Sequence, residues 1–356
     1  MNKFPTIILF FLLHLASIFA IFPERMMVSA SKGHWMPVAI IFLVELLVVR
    51  LYLKALSKFP GKTIMDLCSD AAGKWGARLI VLPLLVFLFL EVVLLTYYLS
   101  VEIRTVLLPK TPTYATSAIF VALCFYGAWK GLSVMIRASM GWFILFMPFI
   151  LFSMLISIGN FNVRYIFPVW DSQFSFLWRP DFYVGTVIFA GFLFLGMTPS
   201  HLRIRFGTAA ALVGVIFLFA LTAVYVPLLI FGQETAIHFQ YPMLMASDTV
   251  DLEWVVFDWL PSFYVVSSSG LGLIKVAVLL WMLMTMLKQL YLPKAKSRWI
   301  LAVVCLFLYA ACQWIPNAKA LDKFLYINSC LCLYSTIGFP IIVYLSTKWR
   351  RKEVRA

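Results

Sequence analysis

Residues 183–200 read YVGTVIFAGFLFLGMTPS, an apolar block that is interrupted by Gly185, Gly191, Gly196 and Pro199. Such a block is typical of a membrane-spanning helix, which needs about 20 mostly apolar residues. Glycine and proline loosen a helix and free backbone groups for a ligand, but glycine also lets helices pack closely. The sequence leaves both interpretations open for this block.

The rest of the chain has the same character. It is 63% hydrophobic and only 12% charged, against about 45–50% and 25% in soluble domains. We therefore predict an all-α integral membrane protein with one polytopic domain, residues 1–356. Ten transmembrane helices are expected, at about 4–22, 36–53, 79–100, 114–129, 139–159, 184–199, 207–231, 263–287, 299–314 and 324–346.

The basic residues indicate the orientation of these helices. With the N-terminus placed inside, the inside segments carry 20 of the 29 Lys and Arg residues, the outside loops carry eight, and Lys275 falls within a span. An excess of basic residues inside is the rule for membrane proteins, so both termini are predicted to be cytoplasmic. We interpret the net charge of +14 as this bias together with affinity for membrane lipid, and not as nucleic-acid binding.

Ten spans divide into two halves of five, and an odd number per half gives the halves opposite orientations. This arrangement predicts a five-plus-five inverted-repeat (LeuT-like) transporter fold, with repeat one at about 4–159 and repeat two at about 184–346. In such folds the first helix of each half is often broken near the midplane, where substrate binds. In the first block only Ser17 and Pro23 suggest a break, so we favour a continuous packed helix there.

Two loops are expected to contain short surface helices. Inside, at about 63–73, Thr63 is placed to cap a helix and Asp66 stands at the capping-box position. Outside, at about 241–256, Tyr241-Pro242 opens a segment with one apolar side, for which an irregular loop is the alternative. The inner helix is predicted to lie on the membrane surface.

Three ionisable residues stand in the middle of predicted spans, namely Glu45, Glu91 and Lys275, and these are the only acids and the only base that we place in the membrane. A charge there costs about 2.5–3.5 kcal/mol, so it usually faces a partner. We predict an ion pair between Glu91 and Lys275; the alternative is that the carboxyls are neutral. Ser268, two turns before Lys275, is placed to bind an ion or a carboxylate, or else bonds its own helix. We find no catalytic set, cofactor motif or metal-ligand spacing, and predict no enzyme activity.

Short motifs at the loop boundaries resemble those of a known family. Phe59-Pro60-Gly61-Lys62-Thr63 resembles its FPxKT motif, Leu108-Pro109-Lys110-Thr111-Pro112 its LPxTP motif, and Gly131 to Arg137 its G-x-x-x-(I/L)-x-R signature. The family is the B subunit of nutrient germinant receptors of endospore-forming bacteria, within the amino acid/polyamine/organocation transporter superfamily. The resemblance covers about residues 20–290. We interpret Pro60, Thr63, Pro109, Thr111, Pro112 and Arg137 as structural or signalling residues.

The resemblance implies a nutrient-sensing subunit in the spore inner membrane that works with an A subunit and a C subunit. A small nutrient, such as an amino acid, would bind near the midplane between helices one, three, six and eight. The candidate ligand-binding residues are Ser17, Glu91, Gly191, Gly196, Ser268 and Lys275. Two alternatives stay open: a proton- or ion-coupled amino acid permease in which Glu45 or Glu91 carries the proton, and a scaffold whose pocket has decayed.

Overall fold

The computed structural model describes residues 3–249 and 260–353, except for the side chains of residues 318 and 347–353. The α-helices in those ranges are α1 Phe4–Ile18, α2 Phe22–Ser29, α3 Trp35–Ser57, α4 Ile64–Val106, α5 Thr113–Lys130, α6 Leu132–Ile156, α7 Pro180–Gly185, α8 Phe206–Phe231, α9 Gln233–Ala236, α10 Pro242–Asp248, α11 Leu260–Met286, α12 Ser297–Gln313, α13 Ala318–Leu333 and α14 Phe339–Glu353. A long 3₁₀ helix follows α7 at Thr186–Gly196, and π-helical turns occur at Leu287–Tyr291 and Tyr334–Gly338.

The helices confirm an all-α membrane protein. Each predicted span falls on helical residues for most of its length. Within the described ranges, six helices are long and apolar enough to cross a membrane, or seven if α1 and α2 count as one bent span. Ten spans and an inverted repeat stay predictions.

Helix α1 lies at the centre of the bundle. Nearly all of its side chains are buried, as expected of a helix that is apolar all round. It packs against α6, α8, α11 and the 3₁₀ helix. Polar groups on α1 therefore face protein on every side.

The first block is broken, so our preference for a continuous helix was wrong. Helix α1 ends at Ile18, α2 begins at Phe22, and their axes differ by 53°. Pro23 has no N–H group, and its ring would clash with the carbonyl four residues earlier, that of Phe19. The Tyr264 hydroxyl donates to that carbonyl at 3.0 Å. The Tyr98 hydroxyl lies 3.1 Å from the next carbonyl, that of Ala20, and 2.7 Å from the Gln240 carbonyl, and these two acceptors share its one proton. The break thus needs no glycine.

The sixth block is long for its number of residues because it changes helix type. Six α-helical residues are followed by eleven 3₁₀ residues. A 3₁₀ helix rises about 2.0 Å per residue against about 1.5 Å in an α-helix. The segment from Pro180 to Gly196 is therefore about 31 Å long, close to the hydrocarbon thickness of about 30 Å.

Close packing explains why two positions of the sixth block, Gly185 and Gly196, are glycine. A Cβ at Gly196 would lie 2.0 Å from the Tyr52 hydroxyl, which donates to the Leu193 carbonyl at 3.0 Å. A Cβ at Gly185 would lie 2.2 Å from the Met26 methyl. These contacts support the packing interpretation of both positions.

The predicted surface helices form in part. Residues 64–72 begin α4, Thr63 and Asp66 make a capping box, and Gly73 interrupts the helix with φ 67°. That this first part lies on the inner membrane surface stays a prediction. Outside, the helix is α10, Pro242–Asp248, and residues 250–256 of the predicted segment lie outside the described residues.

The contact between α11 and α6 at Gly270 can be tested. A Cβ there would lie 1.5 Å from the Trp142 ring, whereas a Cβ at Gly214 of α8 meets nothing within 4 Å. Gly270→Ala is expected to destabilise the protein by about 1–3 kcal/mol because the ring must move. Thermal unfolding in detergent should show a lower midpoint for Gly270→Ala and no loss for Gly214→Ala. Equal midpoints for the two variants would contradict the close contact.

Candidate ligand site

A buried ion pair lies beside the break in the first helix. The Lys275 ammonium nitrogen is 3.3 Å from Glu91 Oε1, and both side chains are almost fully buried. The Lys275 ammonium also donates to the Ser17 hydroxyl, and the Asn328 amide donates to Glu91 Oε2 at 3.0 Å. The predicted pair is therefore present, and α13 adds Asn328, which the sequence analysis missed.

A small cavity adjoins this pair. It has a volume of about 10 Å³, enough for about one water molecule. Its walls come from both sides of the break, from α4 and from the sixth block: Ser17, Ala20, Ile21, Phe22, Glu91, Leu95, Val184, Gly185, Val187 and Ile188. In this conformation no amino acid fits there.

Ser268 lies apart from this cavity. Its hydroxyl lies 3.1 Å from the Val265 carbonyl oxygen of its own helix and 3.2 Å from Glu102 Oε2, so both acceptors compete for its one proton. Ser268 also precedes Lys275 by seven residues, about 10 Å along α11. Ser268, Gly272 and Lys275 share the face of α11 that meets α4, where Gly272 contacts Leu99.

Glu102 is a third buried glutamate, which the predicted set of Glu45 and Glu91 did not include. It belongs to α4 and is 1% exposed, so Glu45 and Glu91 are not the only buried acids in that region. Its Oε1 atom has no hydrogen-bond partner among the described residues. Whereas Glu91 has a cation beside it, the one contact found for Glu102 is a hydroxyl. Its place near the outer end of a predicted span hid it from the sequence analysis.

A second buried pair lies one turn earlier on α1. His14 Nε2 is 2.7 Å from Glu45 Oε1, and neither side chain is exposed. A Cβ at Gly191 would lie 2.7–2.9 Å from the His14 ring, so this glycine makes room for the imidazole. The one sign of this pair in the sequence is a histidine inside an apolar block, which usually has a polar partner.

An arginine links three helices near the site. The Arg25 guanidinium on α2 donates to Asp181 of α7 at 2.9 Å and to Asp322 of α13 at 2.5 Å. It also lies 3.3 Å from Glu24. Arg25 is only 6% exposed. No local pattern in the sequence indicated these partners, because they lie far from Arg25 along the chain.

Another arginine links α3 to the end of the sixth block through backbone contacts. The Arg203 guanidinium donates to the carbonyls of Thr198, Leu56 and Lys62 at 3.0, 3.2 and 2.5 Å. The FPxKT-like segment, which includes Pro60, thus bridges α3 and the end of the sixth block, and its Thr63 caps α4. This geometry agrees with a structural role for the motif.

The other motif residues shape turns. Thr111 donates its N–H to the Leu108 carbonyl at 2.9 Å, across Pro109, and Pro112 is the N-cap residue of α5. Gly131, with φ 85°, is the single residue between α5 and α6. Arg137 is exposed on α6. None of these residues reaches the cavity.

The outer loop between α6 and α7 is ordered by an aspartate. Asp171 Oδ2 accepts hydrogen bonds from the Ser175 hydroxyl at 2.7 Å and from its N–H at 2.8 Å. These bonds, the hydroxyl first among them, hold the pKa of the Asp171 carboxyl below its ordinary value.

The chemistry of the central groups suits a zwitterion. Lys275 offers a positive charge, Glu91 a negative one, and the first turn of α2 has N–H groups without helical acceptors. The residues described contain no cluster of three or more His, Cys, Asp or Glu able to hold a metal. The ligand roles of Ser17, Glu91, Gly191, Gly196, Ser268 and Lys275 stay predictions.

The energetics of the central pair can be measured with a double-mutant cycle. Glu91→Gln or Lys275→Met alone is expected to destabilise the protein by about 3–5 kcal/mol, because each leaves an unpaired buried charge. The double variant should be more stable than either single variant. Thermal unfolding and folded yield in detergent measure the cycle. A double variant no better than the worse single one would show that the pair does not contribute.

Comparison with known protein families agrees with this picture. A family model described as spore germination protein matches residues 1–320. A search of curated proteins finds no match. The motif resemblance is thereby confirmed, and the chain belongs to the spore germination permease family.

Proposed function

We propose that this protein is the nutrient-sensing membrane subunit of a spore germination receptor. A small zwitterionic nutrient, such as an amino acid, binds between the break in the first helix, α4, the sixth block and α11. The observation that carries the proposal is the Lys275–Glu91 ion pair at 3.3 Å on the edge of the cavity. Membership of the spore germination family supports the biological setting.

The nutrient would exchange for the internal ion pair. Its carboxylate would bind the Lys275 ammonium and the N–H groups at the start of α2, and its ammonium would bind Glu91. The site is neutral before and after this exchange, so no net charge is buried. Because a buried charge without a partner is costly, this balance favours a zwitterion over an amine or an acid alone.

Binding would require a rearrangement of the bundle. The cavity of about 10 Å³ has room for about one water molecule. Arg25 holds α2, α7 and α13 together on the outer side, and these contacts would separate to admit the nutrient. A nutrient that binds only the opened arrangement shifts the equilibrium toward it. The A and C subunits, in the spore inner membrane, would respond to that shift.

A germination screen tests the physiological role. Spores that lack this gene should lose the response to one nutrient of a panel of amino acids, sugars and nucleosides, and the wild-type gene should restore it. Glu91→Gln should restore the response at least about tenfold less well, the effect of about 1.4 kcal/mol. Glu234→Gln, in the exposed helix α9, serves as the matched control. An unchanged response of the deletion strain to the whole panel would contradict the proposal.

The permease alternative predicts a different result. Purified protein in liposomes should bind the nutrient found in the screen but should not accumulate it when a proton gradient is applied. Its N-acetyl derivative and its amide should bind weakly, because each lacks one charge of the zwitterion. Strong gradient-driven uptake would favour the permease, and a complete failure to bind would favour the scaffold.

A further inference from the structure

His14 and Glu45 form a contact that the proposed nutrient site does not use. His14 Nε2 lies 2.7 Å from Glu45 Oε1, and His14 Nδ1 lies 2.7 Å from the Phe10 carbonyl oxygen. A carbonyl only accepts hydrogen bonds, so Nδ1 carries a proton. A nitrogen and a carboxyl oxygen at 2.7 Å also need a proton between them, because two bare acceptors repel each other.

We propose that His14 and Glu45 form a proton-binding site that holds one shared proton in this conformation. With that proton the pair has no net charge. Neither side chain is exposed, so the loss of the proton, or the gain of a second one, would bury an uncompensated charge at a cost of several kcal/mol.

The unpaired oxygen of Glu45 indicates that the shared proton is bound to the Glu45 carboxyl and not to His14 Nε2. Glu45 Oε2 has no hydrogen-bond partner among the described residues. In a carboxylate both oxygens share the negative charge, and an unpaired charged oxygen is more costly to bury than the carbonyl oxygen of an acid. Glu45 is therefore the donor, and neutral His14 accepts at Nε2.

No neighbouring cation in the described part of the chain is placed to neutralise Glu45 in place of this proton. Besides the pair itself, the described ionisable side chains on α3 and on the elements around α1 and α3 are Glu24, Arg25, Arg50, Tyr52, Lys54, Glu91, Arg137, Tyr225, Tyr264, Lys275 and Tyr344. Of the cations in this set, Lys275 is the one that reaches the middle of α1, where it bonds Ser17, and it is paired with Glu91. The 3₁₀ helix Thr186–Gly196 carries no ionisable side chain.

The 3₁₀ helix forms the lid of this proton site. A Cβ at Gly191 would lie 2.7–2.9 Å from the His14 ring, so Thr186–Gly196 covers the imidazole. Movement of this helix away from α1 would admit water, to which the proton could pass. Because Ser17 lies one turn further along α1, the same movement would disturb Lys275. This coupling rests on the proposed function, since it links proton binding to nutrient binding, but the proton site itself does not.

Infrared spectroscopy of the purified protein in lipid tests the site without any nutrient. At pH 8 an ordinary glutamate, with a pKa of about 4.3, is ionised. Wild-type protein should nevertheless show the carbonyl-stretch band of a protonated carboxyl. Glu45→Gln should remove a component of this band, and the exposed control Glu234→Gln should not. Glu102→Gln and Glu91→Gln identify any components of the band that come from the two other buried glutamates.

Two further variants test the partner and the lid. His14→Leu removes the acceptor and should move the Glu45 band toward that of an acid without a hydrogen bond. Gly191→Ala brings a methyl against the imidazole and should shift the same band, whereas Gly214→Ala, with nothing within 4 Å, should leave it unchanged. Thermal unfolding midpoints establish that each variant is folded.

Two results would overturn the proposal, one from the wild-type protein and one from a variant. A wild-type spectrum without a protonated-carboxyl band would overturn the proposal, and no variant has to fold for that result. A folded Glu45→Gln variant with an unchanged spectrum would overturn it too. Since no nutrient is present, neither result bears on the proposed function. Failure of every nutrient to bind would in turn leave the proton site standing.

Discussion

The candidate site depends on one missing hydrogen-bond donor. Pro23 cannot donate to the Phe19 carbonyl, so the first helix breaks there. Inside a membrane no water is present to satisfy the freed carbonyls. Tyr264 of α11 donates to the Phe19 carbonyl, and the Tyr98 hydroxyl of α4 is shared between the Ala20 and Gln240 carbonyls. These contacts join the break to α11 and α4, the two helices that carry Lys275 and Glu91.

The core of the bundle is electrically balanced by groups from different helices. Glu91 of α4 is neutralised by Lys275 of α11, and we propose that one proton neutralises the pair of Glu45 and His14. Each such contact strongly disfavours arrangements in which its partners part, because separation leaves an uncompensated charge. A ligand that supplied the missing partner would remove that penalty. This balance is the physical basis of the proposed response to a zwitterion.

Local patterns in the sequence predicted the helices and the capping box, because hydropathy and short spacings act within one segment. The cost of burying a charge also predicted the Glu91–Lys275 contact. The partners of His14 and Arg25 depend on how distant helices are rotated against each other, which no local pattern records. Ser268 illustrates the limit, since it is on the expected face of α11 but seven residues from Lys275 and next to Glu102. Pro23 suggested the break in the first block but did not decide it, because prolines also lie inside the continuous helices α6 and α8.

Arg25 and Arg203 hold the bundle together by different kinds of contact. Arg25 bonds the side chains of Asp181 and Asp322, which can take up new rotamers or bind water as they separate. Arg203 bonds three backbone carbonyls, so separation there requires movement of the main chain of α3 or of the sixth block. The proposed rearrangement is therefore expected to separate the Arg25 contacts before the Arg203 contacts.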